Sequence, residues 1–222
     1  MTETEQSYRS LNAEVTNANA TLVAVSKTHP KEKIMELYEL GHRDFGENRV
    51  AELVEKHAAL PKDIRWHFIG HLQRNKVKAI APIVHLIHAV DSERLLREID
   101  KQGRAVNRII SVLLQFHIAS EESKYGMDTQ QAREILSALK DAPLPNTKIA
   151  GVMGMATYTD DQGQVEAEFK MLTDHFAQLR DAYFSESPGF CEISMGMSGD
   201  YPLALAQGST LVRVGSLLFG RR

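Results

Sequence analysis

Eight short apolar segments, each followed by a longer helical pattern, constrain the fold of this chain more than any other feature of its sequence. Short runs rich in apolar and β-branched residues are typical of strands that are buried on both faces. A helix between each strand and the next favours parallel pairing through right-handed crossovers. The pattern predicts a closed α/β barrel, the (β/α)8 TIM barrel, with strands at residues 21–26, 43–46, 65–69, 84–90, 109–116, 149–155, 190–195 and 210–214.

The length and composition fit one barrel domain spanning residues 1–222. The chain has 222 residues, of which 43% are hydrophobic and 25% charged, and barrels of this kind contain roughly 200 to 250 residues. An amphipathic pattern near residues 5–19 predicts one extra helix before the first strand. The alternative is an open doubly wound sheet, which usually carries a glycine-rich loop after its first strand, whereas this chain has Ser26-Lys27-Thr28 there.

The net charge, the polar amino terminus and the single cysteine limit the binding partners and the cellular location that we expect. A formal net charge of -3 provides no basic surface of the kind that holds nucleic acid. The amino-terminal residues are polar and no later segment is apolar enough for a membrane span, so we expect no secretory signal, no membrane partner and a cytoplasmic location. Cys191 is the single cysteine, which excludes an internal disulfide and fits a reducing compartment.

Lys27 directly follows the first predicted strand, and its position there is unusual. Burial of an ammonium group is unfavourable unless the group is paired or neutralised. Burial also lowers the pKa of an amine, and a neutral amine can attack an aldehyde to form a Schiff base. Lys27 is therefore a candidate for covalent chemistry, and the alternative is a lysine whose ammonium extends from the strand end into water.

Small residues after the seventh and eighth strands predict a phosphate site. Ser198-Gly199 and Gly215-Ser216 offer free backbone amides at the carboxyl end of the barrel, where barrels often bind phosphate against the start of a short helix. Glycine lets the backbone approach the phosphate oxygens closely. Taken alone, either glycine also fits an ordinary turn.

Arg213 lies two residues before Gly215 on the last predicted strand, so both residues share one face of that strand. An arginine inside a barrel needs an acceptor, which could be the carboxylate of Glu192 on the neighbouring strand or a ring nitrogen of a ligand. A lysine able to form an imine, a phosphate site and an arginine facing a ring nitrogen together describe a site for pyridoxal 5'-phosphate (PLP).

Several independent motifs then carry a family resemblance that spans nearly the whole chain. The sequence resembles the YggS/PROSC family of pyridoxal phosphate homeostasis proteins. The matching motifs are AVSKT at 24–28, FGEN at 45–48, HFIG at 67–70, LQRNK at 72–76, SKYG at 123–126, SMGMSGD at 194–200, GSTLVRVG at 208–215 and FGR at 219–221. The main departure is His71, where a smaller residue or proline is more usual in the family.

The resemblance implies a barrel similar to the amino-terminal domain of alanine racemase. It also implies that Lys27 forms the internal aldimine with PLP and that Arg213 faces the pyridine nitrogen. The other cofactor-binding residues that it implies are Ser198, Gly215 and Ser216 around the phosphate and Asn48 near the cofactor. Asn48 equally fits the N-cap of the following helix.

The expected function is that of a PLP carrier or buffer in vitamin B6 and amino-acid homeostasis, without robust turnover. A guanidinium stays protonated at cellular pH, so it leaves the ring nitrogen unprotonated and weakens the electron sink of PLP. Racemases of the similar fold add a tyrosine from the second domain of a partner subunit, and here only residues 217–222 follow the eighth unit. We therefore expect no catalytic residues, a monomer, and PLP-dependent apoenzymes as candidate recipients.

Two other functions stay open on the sequence. One is a slow PLP-dependent amino-acid racemase, and the other is a cofactor-free Schiff-base aldolase that acts on a sugar phosphate through Lys27. A metal site is not expected, because His67 and His71 would lie about 13 Å apart on an extended strand. His85 and His88 would point to opposite faces of theirs.

Overall fold

The computed structural model describes residues 3–121 and 125–220, so Ser123, Lys124 and Arg221 of the family motifs lie outside the described residues. Eight parallel strands form a closed barrel in sequence order, and the first strand pairs with the last. The strands are β1 (Thr21–Val25), β2 (Asp44–Glu47), β3 (Arg65–Phe68), β4 (Val84–Val90), β5 (Ile110–Gln115), β6 (Thr147–Met153), β7 (Glu192–Ser194) and β8 (Leu211–Val214). The predicted TIM barrel is confirmed.

Helices alternate with the strands around the barrel. They are α1 (Glu3–Asn17), α2 (Lys31–Glu39), α3 (Val50–Ala59), α4 (Val77–Ile80), α5 (Glu93–Ala105), α6 (Thr129–Asp141), α7 (Gln162–Tyr183), α8 (Tyr201–Ala206) and α9 (Ser216–Phe219). Within residues 3–121 and 125–220, every helix is too short or too polar to cross a membrane.

The apolar residues divide into two clusters, as expected for a barrel. The larger cluster packs the strands against the helices, and α7 contributes one buried face through Val165, Phe169, Leu172, Phe176 and Leu179. The smaller cluster consists of Val23, Leu86, Ala89, Leu113, Ala150, Met153 and Leu211, all of which are strand residues. Polar side chains therefore share the space enclosed by the strands with only a few apolar ones.

The boundaries of some elements differ from the prediction. Helix α1 ends at Asn17 rather than near residue 19, because Asn19 adopts the left-handed backbone conformation with φ +57°. Strand β7 covers three residues instead of the predicted 190–195. Phe190 lies before the strand, where its ring stacks on those of Phe184 and Phe176, with centroids 4.1 and 4.9 Å away.

His42 connects the start of the barrel to helix α1, and its burial gives stability a pH dependence. Its Nε2–H donates to the Asp44 carbonyl at 2.8 Å, and its Nδ1 lies 3.4 Å from the Tyr8 hydroxyl. Burial lowers the pKa of His42 to about 4, although the backbone hydrogen bond and the charge of Asp44 act in the opposite direction. The unfolded chain therefore binds a proton at this residue at a higher pH than the folded chain does.

We expect the free energy of unfolding to fall as the pH drops from about 6.5 to 4, by up to about 3 kcal/mol from His42 alone. Above pH 7, His42 is neutral in both the folded and the unfolded chain, so it causes no loss of stability there. Urea denaturation of the wild type and of His42→Gln at pH 7 and pH 4.5 measures the effect. The variant should lose less stability between the two pH values, and equal losses would contradict this role.

Candidate functional site

Lys27 lies two residues after the end of β1, at the carboxyl end of the barrel, and is half-buried. The next residue, Thr28, has φ +65°, a conformation that a β-branched residue rarely adopts. Such strain persists only where surrounding contacts impose it, and it is common at functional sites. The backbone around Lys27 is therefore held in one conformation by its neighbours.

A buried lysine supplies those contacts. Lys56 on α3 donates from Nζ to the Ser26 carbonyl at 2.8 Å and to the Glu52 carboxylate at 2.7 Å. The same Glu52 oxygen accepts the backbone N–H of Thr28 at 2.6 Å. Lys56 and Glu52 thus form hydrogen bonds with the backbone of Ser26 and Thr28, the residues on either side of Lys27.

Glu47, the last residue of β2, completes this cluster beneath Lys27. Its Oε1 accepts hydrogen bonds from Lys56 Nζ at 2.8 Å and from the Ser26 hydroxyl at 2.6 Å, and its side chain is fully buried. Burial raises the pKa of Glu47, and the hydrogen bonds from Lys56 and Ser26 oppose that shift. None of these contacts was predicted from the sequence. We call Ser26, Glu47, Glu52 and Lys56 the Lys27 support cluster.

The candidate phosphate residues meet beside β1. A Cβ on Gly215 would lie 3.1 Å from the Val25 carbonyl oxygen and 3.3 Å from the Val25 Cβ, so glycine allows β8 to approach β1 closely at this point. The Gly215 N–H donates to the Ser198 hydroxyl at 3.3 Å. Ser216 is the first residue of α9. The structure thus brings Ser198, Gly215 and Ser216 together next to Val25, which lies two residues before Lys27 in the chain.

Arg213 is buried inside the barrel, with 4% of its surface exposed. Its Nη1 donates to the Ser194 hydroxyl at 2.6 Å and its Nη2 to the Gly154 carbonyl at 3.1 Å. Burial lowers the pKa of Arg213 to about 10, with the charge of Asp200 opposing the shift, so the guanidinium stays charged at neutral pH.

Glu192 is not the partner of Arg213. Its carboxylate accepts the Thr210 hydroxyl at 2.6 Å instead, and the hydrogen bonds of Arg213 go to Ser194 and Gly154. The proposed ion pair with Glu192 is therefore wrong. With two N–H groups used in this way, the guanidinium of Arg213 still has donors for a ligand.

Asn48 follows β2 at the same end of the barrel, but it does not cap the next helix. The N-cap of α3 is Arg49, without a side-chain cap. The Asn48 Oδ1 atom is buried and has no hydrogen-bond partner among the described residues. A Cβ on Gly70 would lie 2.4 Å from the Asn48 carbonyl oxygen, so the end of β3 presses against Asn48. The asparagine is held in place with one acceptor unused.

The histidines of the barrel interior form contacts that sequence spacing did not reveal. His67 Nδ1 and His88 Nε2 lie 2.9 Å apart, and His88 Nδ1 lies 2.8 Å from the Ser194 hydroxyl. Burial lowers the pKa of His88 well below the usual value of a histidine. The part of the chain that the structure describes has no group of three or more His, Cys, Asp or Glu side chains placed to share a metal ion.

Comparison with known proteins places this geometry in a family. The family model for the alanine racemase N-terminal domain matches residues 3–222. A pyridoxal phosphate homeostasis protein of Aquifex aeolicus is 39% identical over 204 residues, which cover 91% of this chain and 87% of the relative.

Solved structures give the same result. The structure of PipY from Synechococcus elongatus with PLP bound is 34% identical, with a TM-score of 0.87, and the match covers 99% of this chain and all of that one. An alanine racemase from Bartonella henselae shares the fold with a TM-score of 0.71 at 19% identity, and this chain covers 58% of it.

Proposed function

The chain belongs to the pyridoxal phosphate homeostasis protein family, whose barrel is that of the alanine racemase N-terminal domain, and from this we propose that it binds PLP and carries or buffers it in vitamin B6 and amino-acid homeostasis. The aldehyde of the cofactor reacts reversibly with amines, which is the chemistry that PLP supplies when bound. The proposal assigns the covalent bond to Lys27.

The residues at the mouth of the barrel fit this ligand. Lys27 provides the amine, and the support cluster beneath it fixes the backbone on both sides. Ser198, Gly215 and Ser216 provide hydroxyl and amide groups for the phosphate, where a Cβ on Gly215 would crowd β1. The unused Oδ1 of Asn48 supplies an acceptor on the opposite side of Lys27.

One observation carries the assignment above the others: Arg213 is buried and charged, and its hydrogen bonds to the described residues go to a hydroxyl and a backbone carbonyl, neither of which carries a charge. A ring nitrogen with a free lone pair satisfies this guanidinium without a second charge. The arginine donates to the nitrogen and does not protonate it, so the ring is a weak electron sink. Such a site binds PLP well and activates amino acids poorly, which favours a carrier over an enzyme.

A curated relative supports the carrier as well, since the homeostasis protein of Aquifex aeolicus is 39% identical and the match covers 87% of it. We further propose that residues 1–222 act as one domain, as a monomer in the cytoplasm, with PLP-dependent apoenzymes as recipients. The single cysteine, Cys191, supports the cytoplasmic assignment, since a protein there rarely depends on disulfides.

The test is to titrate the purified protein with PLP and then to incubate the loaded protein with L- and D-amino acids. We expect a visible absorption band that saturates at one PLP per chain, and no change in the chirality of any amino acid over hours. Fast racemisation would show an enzyme instead of a carrier. A protein that stays colourless in excess PLP would instead support a cofactor-free aldolase.

A further inference from the structure

A line of hydrogen-bonded side chains crosses the interior of the barrel behind Arg213. Arg213 Nη1 lies 2.6 Å from the Ser194 hydroxyl oxygen, which lies 2.8 Å from His88 Nδ1. On the other side of the His88 ring, Nε2 lies 2.9 Å from His67 Nδ1. His67 Nε2 lies 3.0 Å from Asp44 Oδ1. Each of the five residues is at most 6% exposed. We call these residues the interior line.

The far end of the interior line lies at the opposite opening of the barrel from Lys27. Asp44 and Arg65 are the first residues of β2 and β3, and the Arg65 side chain is 49% exposed. Arg65 binds Asp44 through Nε, at 2.7 Å from Oδ1, and through Nη2. Burial alone would raise the pKa of Asp44, but the hydrogen bonds from Arg65 and His67 outweigh it and hold the pKa well below the ordinary value.

The groups at the two ends allow every hydrogen bond between them to run in one direction, from Arg213 toward Asp44. A guanidinium only donates, so the Ser194 oxygen accepts from Arg213, and the Ser194 hydroxyl can donate its hydrogen to His88 Nδ1. A carboxylate only accepts, so His67 donates from Nε2 to Asp44. His67 Nδ1 then accepts, and His88 donates to it from Nε2.

In this arrangement each histidine carries a hydrogen on Nε2 and accepts at Nδ1. The burial of His88, which lowers its pKa strongly, agrees with a neutral ring. Hydrogen bonds that share one direction polarise one another, and a fully satisfied buried network fixes a single arrangement of its side chains.

We propose that Ser194 and His88 are positioning residues that hold the guanidinium of Arg213 toward the ring nitrogen of PLP, and that Asp44 at the far end of the barrel sets the direction of their hydrogen bonds. This inference rests on the proposed function, in which Arg213 faces that nitrogen. Ser194 and the Gly154 carbonyl occupy two of the guanidinium N–H groups and leave others for the ligand. Without the Ser194 hydroxyl, the guanidinium keeps its charge but loses one of its two anchors.

The first measurement uses the wild-type protein without ligand and involves no variant. Nitrogen-15 NMR of the histidine side chains near pH 7 distinguishes Nε2–H from Nδ1–H tautomers. We expect the Nε2–H tautomer at both His67 and His88. A hydrogen on His88 Nδ1, or a charged His67, reverses part of the line and would overturn the assigned direction.

The second measurement compares two ligands in Ser194→Ala, namely PLP and its analogue in which C–H replaces the ring nitrogen. Loss of one hydrogen bond to a charged group corresponds to roughly a 10-fold rise in the dissociation constant for PLP. The analogue cannot accept a hydrogen bond from Arg213 at this ring position, so its dissociation constant in Ser194→Ala should differ by less than about 2-fold from its value in the wild type. Equal losses for both ligands, or no loss for either, would overturn the positioning role.

The control is His85→Asn, because His85 lies on the same strand as His88 and its ring is 5.4 Å from that of His67, but it is exposed and outside the interior line. We expect wild-type affinity for both ligands in this variant. Failure of the proposed function has a separate signature: the wild-type protein itself would take up no PLP on Lys27. Failure of the positioning role leaves that uptake intact in the wild type and removes only the difference between the two ligands in Ser194→Ala.

Discussion

Lys27→Ala is expected to abolish the visible absorption band of the PLP-loaded protein. The variant lacks the amine to which we assign the bond with the aldehyde, whereas Arg213 and the proposed phosphate residues remain, so we expect weak reversible binding in place of covalent binding. Lys27 is half-buried, so its loss should change the free energy of unfolding by less than about 1 kcal/mol. Spectral titration and equilibrium dialysis with PLP measure the two kinds of binding.

Lys31→Ala is the matched control for this substitution. Lys31 is four residues further along the chain, at the start of α2, where its side chain is 41% exposed. The control should keep both the band and the affinity of the wild type. A band of full intensity in Lys27→Ala would show that another amine holds the cofactor.

Lys56→Met is expected to destabilise the protein by about 3–5 kcal/mol, because it leaves the buried carboxylate of Glu47 without a countercharge. Lys56 Nζ also holds the Ser26 carbonyl and Glu52, so the backbone on both sides of Lys27 loses support. Urea denaturation at pH 7 measures the stability, and titration with PLP shows whether affinity falls as well.

The destabilisation by Lys56→Met should shrink at low pH. Without Lys56, the pKa of Glu47 in the folded protein lies further above its ordinary value of 4.5, so protonation in the folded state recovers stability as the pH falls toward that value. The double variant Glu47→Gln/Lys56→Met has no buried carboxylate at residue 47 and should be more stable than Lys56→Met at pH 7. If the double variant is less stable than the single one, the charge of Glu47 is not the cause.

The sequence was sufficient to predict the barrel, because its strands appear as short apolar runs and its helices as apolar residues spaced three and four apart. Strand β4 begins and ends where predicted. The location of Lys27, Asn48, Arg213 and Gly215 at or near strand ends also followed from the sequence, since parallel strands bring their carboxyl ends together. Their contacts with PLP stay predictions.

The contacts beneath the site could not be predicted, because they join residues that are far apart in the chain. Ser194 and His88 are 106 positions apart in the chain. The spacing of residues along one strand predicts on which side of the sheet a side chain lies, but it does not predict which residue of another strand lies next to it. Glu47 shows the same limit, because its contacts with Ser26 and Lys56 join β2 to the residue after β1 and to helix α3. A lysine on a helix face gives no signal in the sequence that it is buried.

Reduction of the PLP-loaded protein with borohydride, followed by peptide mapping, tests the central claim most directly, since reduction makes the bond between cofactor and amine permanent. We expect one modified residue per chain, in the peptide that contains Lys27, and loss of the visible band in parallel with the modification. A label on any other lysine, or a protein that leaves the treatment unlabelled, would contradict the account.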